Sequence, residues 1–128
     1  ETNVVNKNKN KGTRAELAFA KWLNMNGHPD AERSRAGWTD DRGDIDGIPN
    51  VCVEIKDEKR INLAGYMKEL EVEVKNRKSK YGVCIIKKRG TADAGEWYAV
   101  LPAKAWLALL ADALEEKKNP ATAHNDPV

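Results

Sequence analysis

The chain has 128 residues, 41% of them hydrophobic and 33% charged, with a formal net charge of +2. That length fits one compact domain and leaves little room for two, and the composition allows a single core under a very polar surface. No run approaches the ~18 apolar residues of a membrane span and no signal-peptide pattern is seen, so a soluble intracellular protein is expected.

In chain order, residues 1–12, with Asn and Lys alternating from Asn6 to Lys11, read as a flexible basic arm. Thr13 offers an N-cap and Gly27 a stop for a first helix. Its Ala15, Ala18, Phe19, Trp22 and Leu23 fall at helical spacing on one face. The polar segment Asp30 to Arg35 could be a short edge strand, and Gly37 to Gly43 reads as a loop. Asp44 to Gly47 and Val51 to Lys56 read as two strands joined across Ile48-Pro49-Asn50. Leu63, Met67, Leu70 and Val74 predict a helix to about Lys78, their stripe serving as core or as a dimer surface. Val83 to Lys87 and Trp97 to Leu101 are β-rich. Pro102 opens a last helix whose Trp106, Leu109, Leu110 and Ala113 share a face, and residues 118–128 lack periodicity and read as a frayed tail. The expected fold is α/β, a mixed central β-sheet flanked by helices.

Cys52 and Cys84 lie in apolar, β-branched runs and read as buried free thiols. A zinc site would need more ligands at short spacings, and His28 and His124 are isolated. Charge is segregated. Lys7, Lys9, Lys11 and Arg14 crowd the first segment, and no acid falls between Val74 and Ala92, where Lys75, Arg77, Lys78, Lys80, Lys87, Lys88 and Arg89 sit. Acids gather at Asp40 to Asp46 and Glu54 to Glu73. Basic segments beside an acidic cluster suit a protein that holds phosphates and places a metal among them.

Glu54 and Lys56, two apart, share one face of a strand, while Val51, Val53 and Ile55 point to the core. If the loop is Ile48 to Asn50, Gly47 pairs with Val51, Asp46 with Cys52 and Ile45 with Val53, setting Asp44 opposite Glu54. Two opposed carboxylates repel unless a proton or a cation lies between them, and a hard divalent metal such as Mg²⁺ relieves the repulsion. The carbonyl of Ile55 is a plausible further ligand. A surface hairpin in which Lys56 merely neutralises Glu54 is the competing account. A calcium loop from Asp44, Asp46 and Gly47 fails on spacing, because it puts Arg42 and Val53 at ligand positions. Asp40 and Asp41 read as loop residues. Glu16 stands three after Thr13, as in a capping box, yet its helical neighbours Phe19, Ala20 and Leu23 are apolar, so it could also turn inward as a metal ligand. A metal held there would bind a phosphate oxygen and acidify a water, with Lys56 stabilising hydroxide or phosphoryl oxygens. No Ser/His/Asp set, Gly-rich phosphate loop or dinucleotide fingerprint is seen.

Gly43-Asp44-Ile45 followed by Val53-Glu54-Ile55-Lys56 resembles the PD-(D/E)xK nuclease superfamily. With Lys11-Gly12-Thr13-Arg14-Ala15-Glu16 before it, the run from Asn10 to Leu101 looks closest to Holliday junction resolvases of archaeal type and their phage-encoded relatives. Gly43 stands where the superfamily's name has proline. The resemblance implies a restriction-endonuclease-like nuclease core over residues 13–117 and a homodimer cutting four-way DNA junctions with Mg²⁺ or Mn²⁺. Asp44, Glu54 and Glu16 would then be the acidic metal set and Lys56 the catalytic lysine. It places the protein in the cytoplasm, that of a bacterial host if phage-encoded. Lys7, Lys9, Lys11, Arg14, Arg33, Arg35, Lys59, Arg60, Lys75, Arg77, Lys78 and Lys80 are candidates for backbone contacts to DNA. Trp38, before the acidic site, reads as a core lid or a base-stacking residue. A nuclease for flaps, nicks or duplex ends, or a catalytically silent DNA-binding recombination protein, are the alternatives.

Overall fold

A computed structural model describes residues 2–35 and 41–118, with side chains from 10 to 117. Its elements are α1 (Thr2–Met25), β1 (Glu32–Arg33), β2 (Ile45–Asp46), β3 (Val51–Lys56), α2 (Leu63–Arg77), β4 (Tyr81–Ile86), a 3₁₀ turn (Ala94–Glu96), β5 (Tyr98–Val100) and α3 (Ala103–Lys118). β3 and β4 run parallel, Val51 beside Tyr81 through Lys56 beside Ile86, and β5 joins β4 antiparallel. The result is an α/β arrangement with a mixed sheet, ordered β3-β4-β5, flanked by helices. No helix of the described residues is long and apolar enough to cross a membrane.

Alternation along the strands divides the core. Val53, Ile55 and Ile85 point to one face and cluster with Ala15, Phe19, Ala20 and Leu23 of α1. Cys84 and Ile86 point to the other, against Tyr66 of α2, with Cys52 and Glu54 on the same side by parity. Gly82 lets α2 approach, for a Cβ there would meet the side chains of Val74 and Leu70. Phe19 stacks on Trp97 at 6.1 Å between ring centroids, tying α1 to the segment entering β5. Both cysteines are buried and free, as expected.

Two expectations are corrected. The first helix does not start at Thr13: it begins at Thr2 and takes in the basic segment read as an arm. That segment has one glycine and no proline; its three lysines are good helix formers and its four asparagines, though weaker, are not breakers, so nothing in it stops the helix. Gly27, with φ +98°, does close it, His28 N–H donating to Leu23 O at 3.0 Å. The second correction concerns the hairpin. β2 pairs with β1, Glu32 beside Asp46 and Arg33 beside Ile45, and not with β3. The 44–47 segment meets β3 where Asp44 N–H donates to Val53 O at 2.8 Å, which sets Asp44 against Val53, one residue from the expected register. Gly43 and Gly47 explain the departure. Both have positive φ, near +90°, so the chain turns away from a continuous ladder on either side of Asp44–Asp46. Residues 119–128 of the expected tail lie outside the described residues.

Candidate active site

The acidic residues converge although the ladder that was to bring them together does not form. Asp44 Oδ2 accepts from the backbone N–H of Ile55 at 2.8 Å, which brings its carboxylate beside Glu54. Lys56 Nζ lies 3.5 Å from Glu54 Oε2. Glu16, Asp44, Glu54, Ile55 and Lys56 line one cleft of about 580 Å³, so every residue expected to carry the chemistry faces the same space. In a strand the N–H and C=O of one residue point to the same edge, and successive residues alternate edges. Val53 O and Ile55 N–H both face Asp44, so the Ile55 carbonyl is turned to that edge as well.

Electrostatics make the cluster unstable as bare anions. Burial, then the neighbouring Glu54, pushes the Asp44 carboxyl up to about 8. Burial, then Glu73, pushes Glu54 up to about 8 against the pull of Lys56. Glu54 Oε1 is buried without a hydrogen-bond partner. Burial works against the Lys56 charge, yet hydrogen bonds to Glu69 and the charges of Glu54, Glu69 and Glu58 outweigh it and hold the ammonium above its ordinary range. Two hydrogen bonds to Glu69, at 2.9 and 2.8 Å, and the face of Tyr66, 5.0 Å away, fix its position. The site therefore offers two ionisable carboxylates short of positive charge beside a permanently charged amine. Such a set takes up protons or a hard cation.

Of the two readings of Glu16, the capping box is absent because the helix runs through Thr13. Glu16 Oε1 instead accepts from Arg33 Nε at 2.6 Å at the rim of the cleft. Three contributors escaped the sequence reading. Glu69 grips Lys56. Glu73 is fully buried beside Glu54. Asp41, read as a loop residue, presents an oxygen to Glu54 and Glu73. A signal for Glu73 was there: Tyr66, Leu70, Glu73 and Arg77 recur at i, i+4, i+7 and i+11, and this is the face α2 turns to the sheet. The stripe chosen from the sequence lies a little to one side, and its Leu63 is exposed.

The basic candidates divide. Lys11, Lys59 and Arg60 line the cleft, although Lys11 also pairs with Asp57 at 3.5 Å. Arg33 is engaged by Glu16. Arg14 and Arg35 are exposed. Arg77 is not a free phosphate contact: its Nη2 donates to Asp46 Oδ1 at 2.7 Å and its Nε to Arg42 O, so it clamps β2 to α2. Lys75, Lys78 and Lys80 lie at the far end of the sheet, where Lys80 N–H donates to Asn50 O and Lys80 Nζ pairs with Asp112. The side chains of Lys7 and Lys9, together with Trp38 and Asp40, lie outside the described residues. No family model, curated protein or solved structure matches this chain.

Proposed function

We propose that the protein is a divalent-metal-dependent endonuclease of the restriction-endonuclease-like kind, acting on branched DNA and most specifically on four-way junctions. The observation that carries this reading is the pair of buried, mutually repelling carboxylates, Asp44 and Glu54, with the Lys56 amine beside them in an open cleft. The donors fit Mg²⁺, with Mn²⁺ as substitute: all are oxygens, Glu54 Oε1 lacks a partner, and the Ile55 carbonyl is turned to the same edge. Asp44, Glu54 and that carbonyl would hold the ion, with Glu16, which lines the same cleft, as a further acidic ligand. Bound there, the metal would supply a Lewis acid that acidifies a water and neutralises phosphoryl charge.

The chain's own groups do the rest. Lys56, held by Glu69 and Tyr66, presents fixed positive charge where charge builds on the phosphoryl oxygens. Lys59, Arg60 and Lys11 line the approach and bind phosphates without reading bases, which suits selection by shape. A homodimer would place two such clefts on one junction. The apolar stripe of α3, with Trp106, Leu107 and Leu114 each more than half exposed, supports an interface there. Asp44→Asn and Glu54→Gln should each abolish Mg²⁺-dependent cutting of a labelled junction while leaving binding nearly intact. Undiminished cleavage by either variant removes this site. Cutting of flaps or linear duplex in preference to junctions would keep the nuclease and move its substrate.

A further inference from the structure

Not every buried carboxylate near the cleft belongs to it. Glu73 is 1% exposed, on the face of α2 packed against β3, and neither of its carboxylate oxygens has a hydrogen-bond partner. A carboxylate so placed is costly unless something compensates it. Arg77, one turn further along α2, is occupied by Asp46 and Arg42 O. Lys56 is occupied by Glu69. The end of α2 instead draws a third acid toward Glu73. Asn76 Nδ2 donates to Asp41 O at 2.7 Å, and Asp41 Oδ1 accepts from Gly43 N–H at 3.1 Å, which fixes the turn that carries it. One oxygen each from Asp41, Glu54 and Glu73 then lies within 4.8 Å of the other two. Ligands on opposite sides of a divalent ion are about 4 to 5 Å apart for metal–oxygen distances of about 2.0–2.6 Å. Asp41 is exposed, so the group has an entrance from solvent.

We propose that Asp41, Glu54 and Glu73 form a second binding site for a hard divalent cation, set behind the Asp44 site and joined to it by the Glu54 carboxylate. The donors are all oxygens, which favours Mg²⁺, Mn²⁺ or Ca²⁺ over softer metals. An ion there fixes the Glu54 side chain and holds the turn before Asp44 against α2, so it positions the first site. Its role rests on the proposed nuclease reading, but its existence does not.

Mn²⁺ alone is the probe, titrated into the full chain and followed by electron paramagnetic resonance and calorimetry, with circular dichroism to confirm folding. The wild type should bind two equivalents. Glu73→Gln should bind one, and so should Asp41→Asn, a change at an exposed turn that leaves the core intact. Asp44→Asn should lose the other equivalent, and Glu54→Gln should weaken both. Two equivalents retained by Glu73→Gln, or a single wild-type equivalent that survives it, overturn the second site and leave the Asp44 site standing. A single equivalent lost in Glu73→Gln but kept in Asp44→Asn supports ligation by Glu73 and overturns the Asp44 site instead.

Discussion

At the level of single residues, burial disfavours the charged forms of the Asp44 and Glu54 carboxylates. Asp44 and Glu54 titrate near 8 in the folded chain and near the ordinary carboxylate value of about 4 when unfolded. Between these values the folded chain keeps protons that the unfolded chain has released. The stability of the metal-free protein therefore falls as pH rises from about 4 to about 8. A divalent cation bound as proposed would take the place of those protons. Thermal melts from about pH 5 to about pH 8.5 should show Tm dropping without metal, and the drop should shrink with Mg²⁺. A metal-free Tm that is flat or rises over that range contradicts the assignment. Lys56 gives a second prediction. Lys56→Met should lower the cleavage rate by about 10²–10³-fold, the usual cost of removing one fixed group from a developing charge. Mn²⁺ affinity should survive that change, because the amine is not a ligand. Glu69→Gln, which loosens the amine without removing it, should cost less. Equal losses in the two variants would argue that Glu69 does more than hold Lys56.

Among the elements, the segment from Gly43 to Gly47 decides whether Asp44 reaches its place. Gly43 has φ +88°, and a Cβ there would meet Cys52 Sγ and Val53 O, each at 2.9 Å. Proline, with φ fixed near −65°, cannot take this conformation, so glycine stands here for a backbone reason. Gly43→Ala should displace Asp44 and weaken Mn²⁺ binding while leaving the rest of the fold in place, which calorimetry and circular dichroism can separate. On α2, Leu70 packs over Gly82, and Leu70→Ala should destabilise the protein by about 2–5 kcal/mol in denaturant unfolding. The order of elements, the parity that puts Glu54 with Lys56, and the two buried thiols were all legible from period-2 and period-3.6 patterns. The register beside β3 was not. A turn with two positive-φ glycines shifts the pairing by one residue, and short β segments carry too few apolar positions to fix it. Glu73 was passed over for a related reason: it keeps the helical spacing of Tyr66 and Leu70, but a buried acid interrupts the hydrophobic stripe by which buried faces are found.

For the whole molecule, the cations of the cleft and the apolar stripe of α3 lie in different places among the described residues. Lys11, Lys59 and Arg60 stand at the cleft, and the apolar stripe of α3 faces outward. If the cleft binds a DNA backbone, replacing Lys59 and Arg60 with Ala should make the log–log dependence of junction affinity on salt shallower by about 0.9 for each cation removed. The same replacements of Lys75 and Lys78, at the other end of the sheet, should change it less. The most direct test of the whole account is cleavage of an end-labelled four-way junction by the purified full chain, with Mg²⁺ and with chelator, in wild type and Glu54→Gln. Paired nicks that need Mg²⁺ and vanish in the variant are predicted. Cutting that persists with chelator or in Glu54→Gln, or a wild type that binds junctions and never cuts them with Mg²⁺ or Mn²⁺, would contradict it.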